Sequence, residues 1–122
     1  MKREIRFETT QAFLRRMRGA ARKADRGEPI EPSFVLSLQP EELPRIVTAG
    51  RLKLLAAVRR GDQLSITALA RRLDRDRAAV KRDVDVLVRV GILRTREASL
   101  PGHGRQTLVV PVARRLRLLA EI

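Results

Sequence analysis

The stretch from Leu64 to Leu93 constrains the fold more than any other part of the chain. Ser65 offers a side-chain cap to a short helix whose apolar positions are Ile66, Leu69, Ala70 and Leu73. A polar link, Asp74-Arg75-Asp76, follows, and Asp76 can cap a second helix from Arg77 to Val90. Its inner positions are Val80, Val84, Leu87 and Val88, and Gly91 ends it, with Ile92 placed for the apolar contact that accompanies a glycine stop. Ala70 is small enough to let the two helices cross closely, and the link is short enough to fix their angle. This pattern is that of a helix-turn-helix.

Beyond Gly91 the apolar period changes from 3.6 to 2. Residues 92–96 read as a strand, 100–105 as a loop with two glycines, and 107–111 as the return strand. Upstream, Thr48 can cap a helix over 49–60, with Leu52, Leu55, Ala56 and Arg59 in helical rhythm and Leu54 and Val58 broadening the apolar face; Gly61-Asp62 is a turn. An amphipathic helix over 113–122, with Leu116, Leu119 and Ala120 inward and Arg114, Arg115 and Arg117 outward, is expected to close the chain. Three helices with short links followed by a hairpin is the order of a winged helix, and the pattern assigns it residues 43–122.

Residues 1–42 form a separate arm. Ile5 and Phe7 share one face of a short strand, Thr10 can cap a helix over 11–24, and Gly27 stops it. The apolar positions of that helix are Ala12, Phe13, Met17, Ala20, Ala21 and Ala24. Pro29 and Pro32 enclose a turn, and Phe34, Leu36 and Leu38 mark a second strand, after which Pro40 starts a helical turn. The expected fold class is α+β, mainly α: a winged helix-turn-helix with an N-terminal β-α-β arm. The two strands of the arm can pair with each other or with those of a second subunit.

Charge sharpens this division. Residues 1–42 hold nine Lys/Arg against seven Asp/Glu, whereas residues 43–122 hold eighteen against seven. So basic a segment points to a polyanion, with nucleic acid the commonest, although a solubilising surface would look the same. The chain has no cysteine, which excludes disulfides, thiol nucleophiles and zinc fingers and suits a reducing cytoplasm. No apolar stretch resembles a signal peptide or a membrane span. No catalytic set, no cofactor motif and no metal-ligand spacing are visible, and a single histidine, His103, does not make a metal site. The chain therefore reads as a cytoplasmic non-enzyme.

The second helix of the pair divides as reading DNA requires. Its N-terminal half presents Arg77, Ala78, Lys81 and Arg82, placed to meet base edges in a major groove, while the half from Val84 to Val90 enters the core. Ser65, Arg71, Arg72 and Arg75 flank the turn as candidate phosphate contacts, along with the backbone N–H groups of the capped helix starts. On the hairpin, Arg94, Arg96, His103 and Arg105 can meet the backbone or the minor groove. The competing readings are a solvated helix face in an ordinary bundle, with Asp83 and Asp85 pairing locally with Lys81, Arg82 or Arg89, and a hairpin turn with incidental charge.

The segments Leu64–Leu73, Asp76–Asp83 and Leu87–Leu93 resemble winged-helix transcriptional regulators of the MarR/ArsR type. With Arg51-Leu52-Lys53-Leu54-Leu55 ahead of them, they look closest to a group of small prokaryotic DNA-binding proteins that includes antitoxin-like members. The resemblance spans about residues 43–111. It implies a repressor acting on its own operon, or an antitoxin that masks a cognate toxin through the arm while autoregulating. The chain departs from MarR regulators in lacking their long N-terminal dimerisation helix. The expected partners are double-stranded DNA, a second copy of the chain and, in the alternative, a toxin protein, which the strand from Phe34 to Leu38 would bind by strand addition. RNA is disfavoured by an aromatic content of 2%.

Overall fold

The computed structural model describes residues 2–29, 33–58, 63–102, 104–113 and 115–120. The order of elements is β1 (Lys2–Phe7), α1 (Thr10–Asp25), β2 (Ser33–Leu38), a 3-10 turn (Pro40–Glu42), α2 (Leu43–Ile46), α3 (Ala49–Val58), β3 (Leu64–Ser65), α4 (Ile66–Leu73), α5 (Arg77–Val90), β4 (Leu93–Leu100), β5 (Gly104–Pro111) and β6 (Leu116–Ala120). The chain divides into two units. One takes residues 1–45 together with 115–122, and the other takes residues 46–114.

The second unit is the winged helix. Ser65 Oγ accepts from the Ala68 N–H (3.0 Å) and caps α4. Asp74 ends α4 with a left-handed backbone (φ 51°), a conformation Asp tolerates because its short polar side chain can bond locally. Two residues on, Asp76 Oδ2 accepts from the N–H groups of Ala78 (3.1 Å) and Ala79 (3.3 Å) and starts α5. The whole link is thus set by two local devices. Gly91, at φ 87°, closes α5 and turns the chain into β4, its N–H and that of Ile92 bonding back to Val88 and Leu87.

Strands β4 and β5 form the hairpin in one register, from Leu93 opposite Pro111 to Leu100 opposite Gly104. The first strand runs four residues beyond its expected end, because Glu97, Ala98, Ser99 and Leu100 all find ladder partners. β3, which its two residues could not signal in the sequence, pairs with Val109 and Leu108 and makes β5 the central strand. The core contains Leu54, Val58, Ile66, Leu69, Val80, Val84, Leu87, Leu93 and Val109, all at most 5% exposed. The inner stripes of α4 and α5 are buried where the spacing indicates at Ile66, Leu69, Ala70, Val80, Val84 and Leu87, while Leu73 and Val88 are half-buried. The face of α3 is not the one the spacing indicates. Leu54, Ala57 and Val58 are buried, while Leu52 is 48% exposed and Ala56 is exposed. The run AGRLKLLAAV is apolar on nearly every side, so its periodicity does not single out one face. Arg59, placed in that rhythm by the sequence, and the Gly61-Asp62 turn lie outside the described residues.

The other unit is a sheet of three parallel strands in the order β2-β1-β6. Within the segment expected to form a C-terminal helix, Leu116–Ala120 are instead β6, with Leu116, Leu118 and Ala120 beside Arg3, Ile5 and Phe7 of β1, and Arg114 lies outside the described residues. Segment 113–122 has helical spacing and good helix formers, but pairing with a strand more than a hundred residues away overrides that propensity. β1 and β2 pair with each other, Ile5 beside Leu36 and Phe7 beside Leu38, and Ile5 and Phe7 are 1% exposed. Thr9, rather than Thr10, caps α1, its Oγ1 accepting from the Ala12 N–H (3.1 Å). Next to it Glu8 is 2% exposed and accepts from Arg16 of α1 and from Ser37 Oγ (2.8 Å) of β2. The Arg16 hydrogen bond, with help from Ser37, holds the Glu8 carboxyl below its ordinary range against the opposing effect of burial. α1 buries no residue, and Met17, Ala20, Ala21 and Ala24 are exposed where the sequence placed them inward.

Candidate nucleic-acid interface

The N-terminal half of α5 stands out of the winged-helix unit. Arg77, Ala78, Lys81 and Arg82 are exposed, while Val80, Val84 and Leu87 on the opposite side are buried. Helical spacing puts Arg77 and Lys81 on one line and Ala78 and Arg82 on the next. Arg77 does not hang free: its Nε donates to Thr67 Oγ1 of α4 (3.1 Å), which leaves its two terminal nitrogens for a partner. Lys81 Nζ pairs with Asp85 (2.9 Å), both about half exposed, so water screens the pair and a stronger anion can displace it. Thr67, Arg71, Asp74, Arg75, Asp76 and Arg77 rim an open hollow of about 480 Å³ at the elbow between the helices.

Several groups expected to meet phosphate have partners within the fold. Among the backbone donors at the helix starts, Ala68 bonds to Ser65, and Ala78 and Ala79 bond to Asp76. Arg75 is half-buried. Its Nη1 donates to Asp83 Oδ2 (2.8 Å), and its guanidinium lies so close to α3 that a Cβ on Gly50 would sit 3.2 Å from it. The other Asp83 oxygen accepts from Arg51 Nε (3.1 Å), and Arg51 also donates to the Ile46 carbonyl (3.1 Å). Asp83 is therefore the hub of an ion-pair network that joins α3, the turn and α5, with side-chain exposures of 15% for Asp83 and Arg51 and 32% for Arg75. The local pairing expected for Asp83 does not occur. That for Asp85 does.

Ser65 is half-buried in β3, and Arg71 and Arg72 are exposed in the last turn of α4, where cations suit the helix dipole. The hairpin does not bring all its cations to one side. Arg94 and Arg96 lie opposite Val110 and Leu108, whereas Arg105 lies opposite Ser99 on the other face of the sheet. Arg96 is tethered to Gln63. Gly102 and Gly104 have φ of 78° and 66°, which a residue with a side chain rarely adopts, so glycine is what permits this tip. His103 lies outside the described residues. Among the described residues no group of His, Cys, Asp and Glu is arranged to hold a metal ion, and no helix is long and apolar enough to cross a membrane.

The family model HVO_A0114 matches residues 46–115. The chain belongs to the HVO_A0114 family. The HVO_A0114 match coincides with the winged-helix unit to within one residue and does not extend to the N-terminal arm. No curated protein matches the chain. Among solved structures, it is similar to a possible transcriptional regulator from Methanosarcina mazei Go1, at 22% identity over 55% of this chain and 57% of that one (TM-score 0.49). It is also similar to a MarR protein from Peptoclostridium difficile DA00132, at 13% identity over 85% and 60% (TM-score 0.49). A third similar structure is RV1404 from Mycobacterium tuberculosis, at 18% identity over 86% and 62% (TM-score 0.48). The HVO_A0114 chain thus spans about three-fifths of the length of the solved proteins it matches.

Proposed function

We propose that the protein is a sequence-specific, double-stranded DNA-binding transcriptional regulator that represses its own operon as a dimer. One observation carries the reading: α5 exposes Arg77, Ala78, Lys81 and Arg82 at its N-terminal half while its other side is locked into the core. A helix held so rigidly and charged at its leading end suits a major groove, where Arg and Lys meet guanine O6 and N7. Arg71, Arg72 and Ser65 then take phosphates, and the hairpin lays either Arg94 and Arg96 or Arg105 along the backbone. Arg75 serves the fold through Asp83 instead of the DNA.

The test is binding to the DNA upstream of its own gene and to unrelated DNA across a salt series. The upstream fragment should be preferred, and affinity should fall steeply with salt, by a log–log slope of about 0.9 per phosphate contacted. Arg77→Ala should cost about 1–3 kcal/mol on the preferred site and relax selection at one base pair. Binding without preference for any sequence would overturn the proposal.

A further inference from the structure

The arm ends in a sheet edge that is unusually bare. In the order β2-β1-β6, β2 has a neighbour on one side alone among the described residues. The Leu38 carbonyl accepts from the Glu8 N–H (2.9 Å), so Leu38 turns its backbone polar groups towards β1. By strand alternation Leu36 and Phe34 do the same, and Val35 and Ser37 turn theirs outward. Natural sheets protect such edges with charges, prolines or bulges. The β2 sequence, SFVLSL, contains no charge and no proline. The opposite edge strand, β6, carries Arg117 and follows Arg115. Three of the four large apolar side chains exposed among the described residues belong to this same unit: Val35 (37%), Met17 (40%) and Leu14 (47%).

We propose that β2 is a dimerisation edge, pairing antiparallel with β2 of a second copy of this chain. The outward groups set the register. Val35 lies opposite its own copy, and Ser37 opposite Ser33 of the second copy, which joins two parallel three-stranded sheets into one mixed six-stranded sheet. A second copy is favoured over other occupants by symmetry and charge. β2 on β2 is self-complementary, and a twofold contact closes at two chains. β2 on β6 would propagate head to tail, and β6 on β6 would bring arginines together. The inference supplies the dimer contact of the proposed regulator, but its test does not depend on DNA.

The experiment is sedimentation equilibrium on the full chain and on Val35→Pro. The Val35 N–H points away from β1, so proline removes an edge donor without removing a bond of the existing sheet. Wild type should sediment at twice the mass of the chain. Val35→Pro should sediment at the mass of one chain, with an unchanged circular dichroism spectrum. Val35→Lys, which sets like charges opposite each other, should also be monomeric at low salt and recover the dimer as salt is raised. A monomeric wild type, or a folded Val35→Lys variant that stays dimeric at low salt, would overturn the inference. If wild type dimerises through this edge yet ignores DNA, the functional reading fails and the edge stands.

Discussion

Asp83→Asn should damage the fold of the winged helix far more than an exposed carboxylate would. The side chain accepts two charged hydrogen bonds, from Arg51 Nε at 3.1 Å and Arg75 Nη1 at 2.8 Å, in a setting where Asp83 and Arg51 are each 15% exposed. A hydrogen bond to a charged group contributes about 1.5–3 kcal/mol. The Arg75 pair needs a discount because a third of that side chain meets water. Asparagine keeps one acceptor of similar shape but leaves two guanidinium groups beside each other with no counter-charge. The expected loss is about 2–4 kcal/mol, which in a unit of this size lowers the unfolding midpoint by roughly 10–25 °C. Thermal unfolding followed by circular dichroism measures it, and a double-mutant cycle with Arg75→Ala isolates the pair, which should couple by about 1 kcal/mol or more. An Asp83→Asn variant within about 0.5 kcal/mol of wild type, the range of an ordinary surface change, would refute the hub.

The same geometry separates two roles for arginine: Arg75→Ala should lower stability yet leave the slope of DNA affinity against salt unchanged, whereas a phosphate contact would flatten it by about 0.9. Asp76→Ala removes the cap of α5 and should cost about 0.5–2 kcal/mol in urea unfolding. Glu8 has a lowered carboxyl pKa in the fold, so the stability it contributes is present above its ordinary value of 4.5 and is lost as pH falls through the folded value. Unfolding midpoints measured across that acid range should fall less steeply in Glu8→Gln than in wild type. Gly91→Ala meets no atom within 4 Å, but its φ of 87° should still cost about 1–2 kcal/mol in thermal unfolding.

How far the sequence reveals the molecule depends on how local each determinant is. The α4-turn-α5 segment is legible because its signals are a few residues apart: Ser65 and Asp76 cap, Gly91 stops, and a single apolar stripe marks each helix. The exposed residues of α5 follow from that stripe. The face of α3 is not legible, since its apolar residues surround the helix. β6 is misread because Arg, Leu, Ala and Glu at helical spacing say nothing of a partner at Arg3–Phe7. Asp83 looks like a local ion-pair former among Lys81, Arg82 and Arg89, and its true partners, Arg51 and Arg75, are chosen by the packing of α3 against the helix pair. The same long-range choice ties Arg75, expected beside the phosphates, to Asp83.

The placement of β6 bears on the order in which the chain is completed during synthesis. Residues 46–114 are contiguous and rich in near-neighbour contacts, so this unit can assemble as soon as it leaves the ribosome. The three-stranded sheet cannot: β1 waits for a strand made only after the whole winged helix. Until then Ile5 and Phe7 lack one of their flanking strands. A nascent chain would thus hold a finished α4–α5 pair before it holds a finished arm, and two chains growing on one message would meet with the β1 side of the sheet still open.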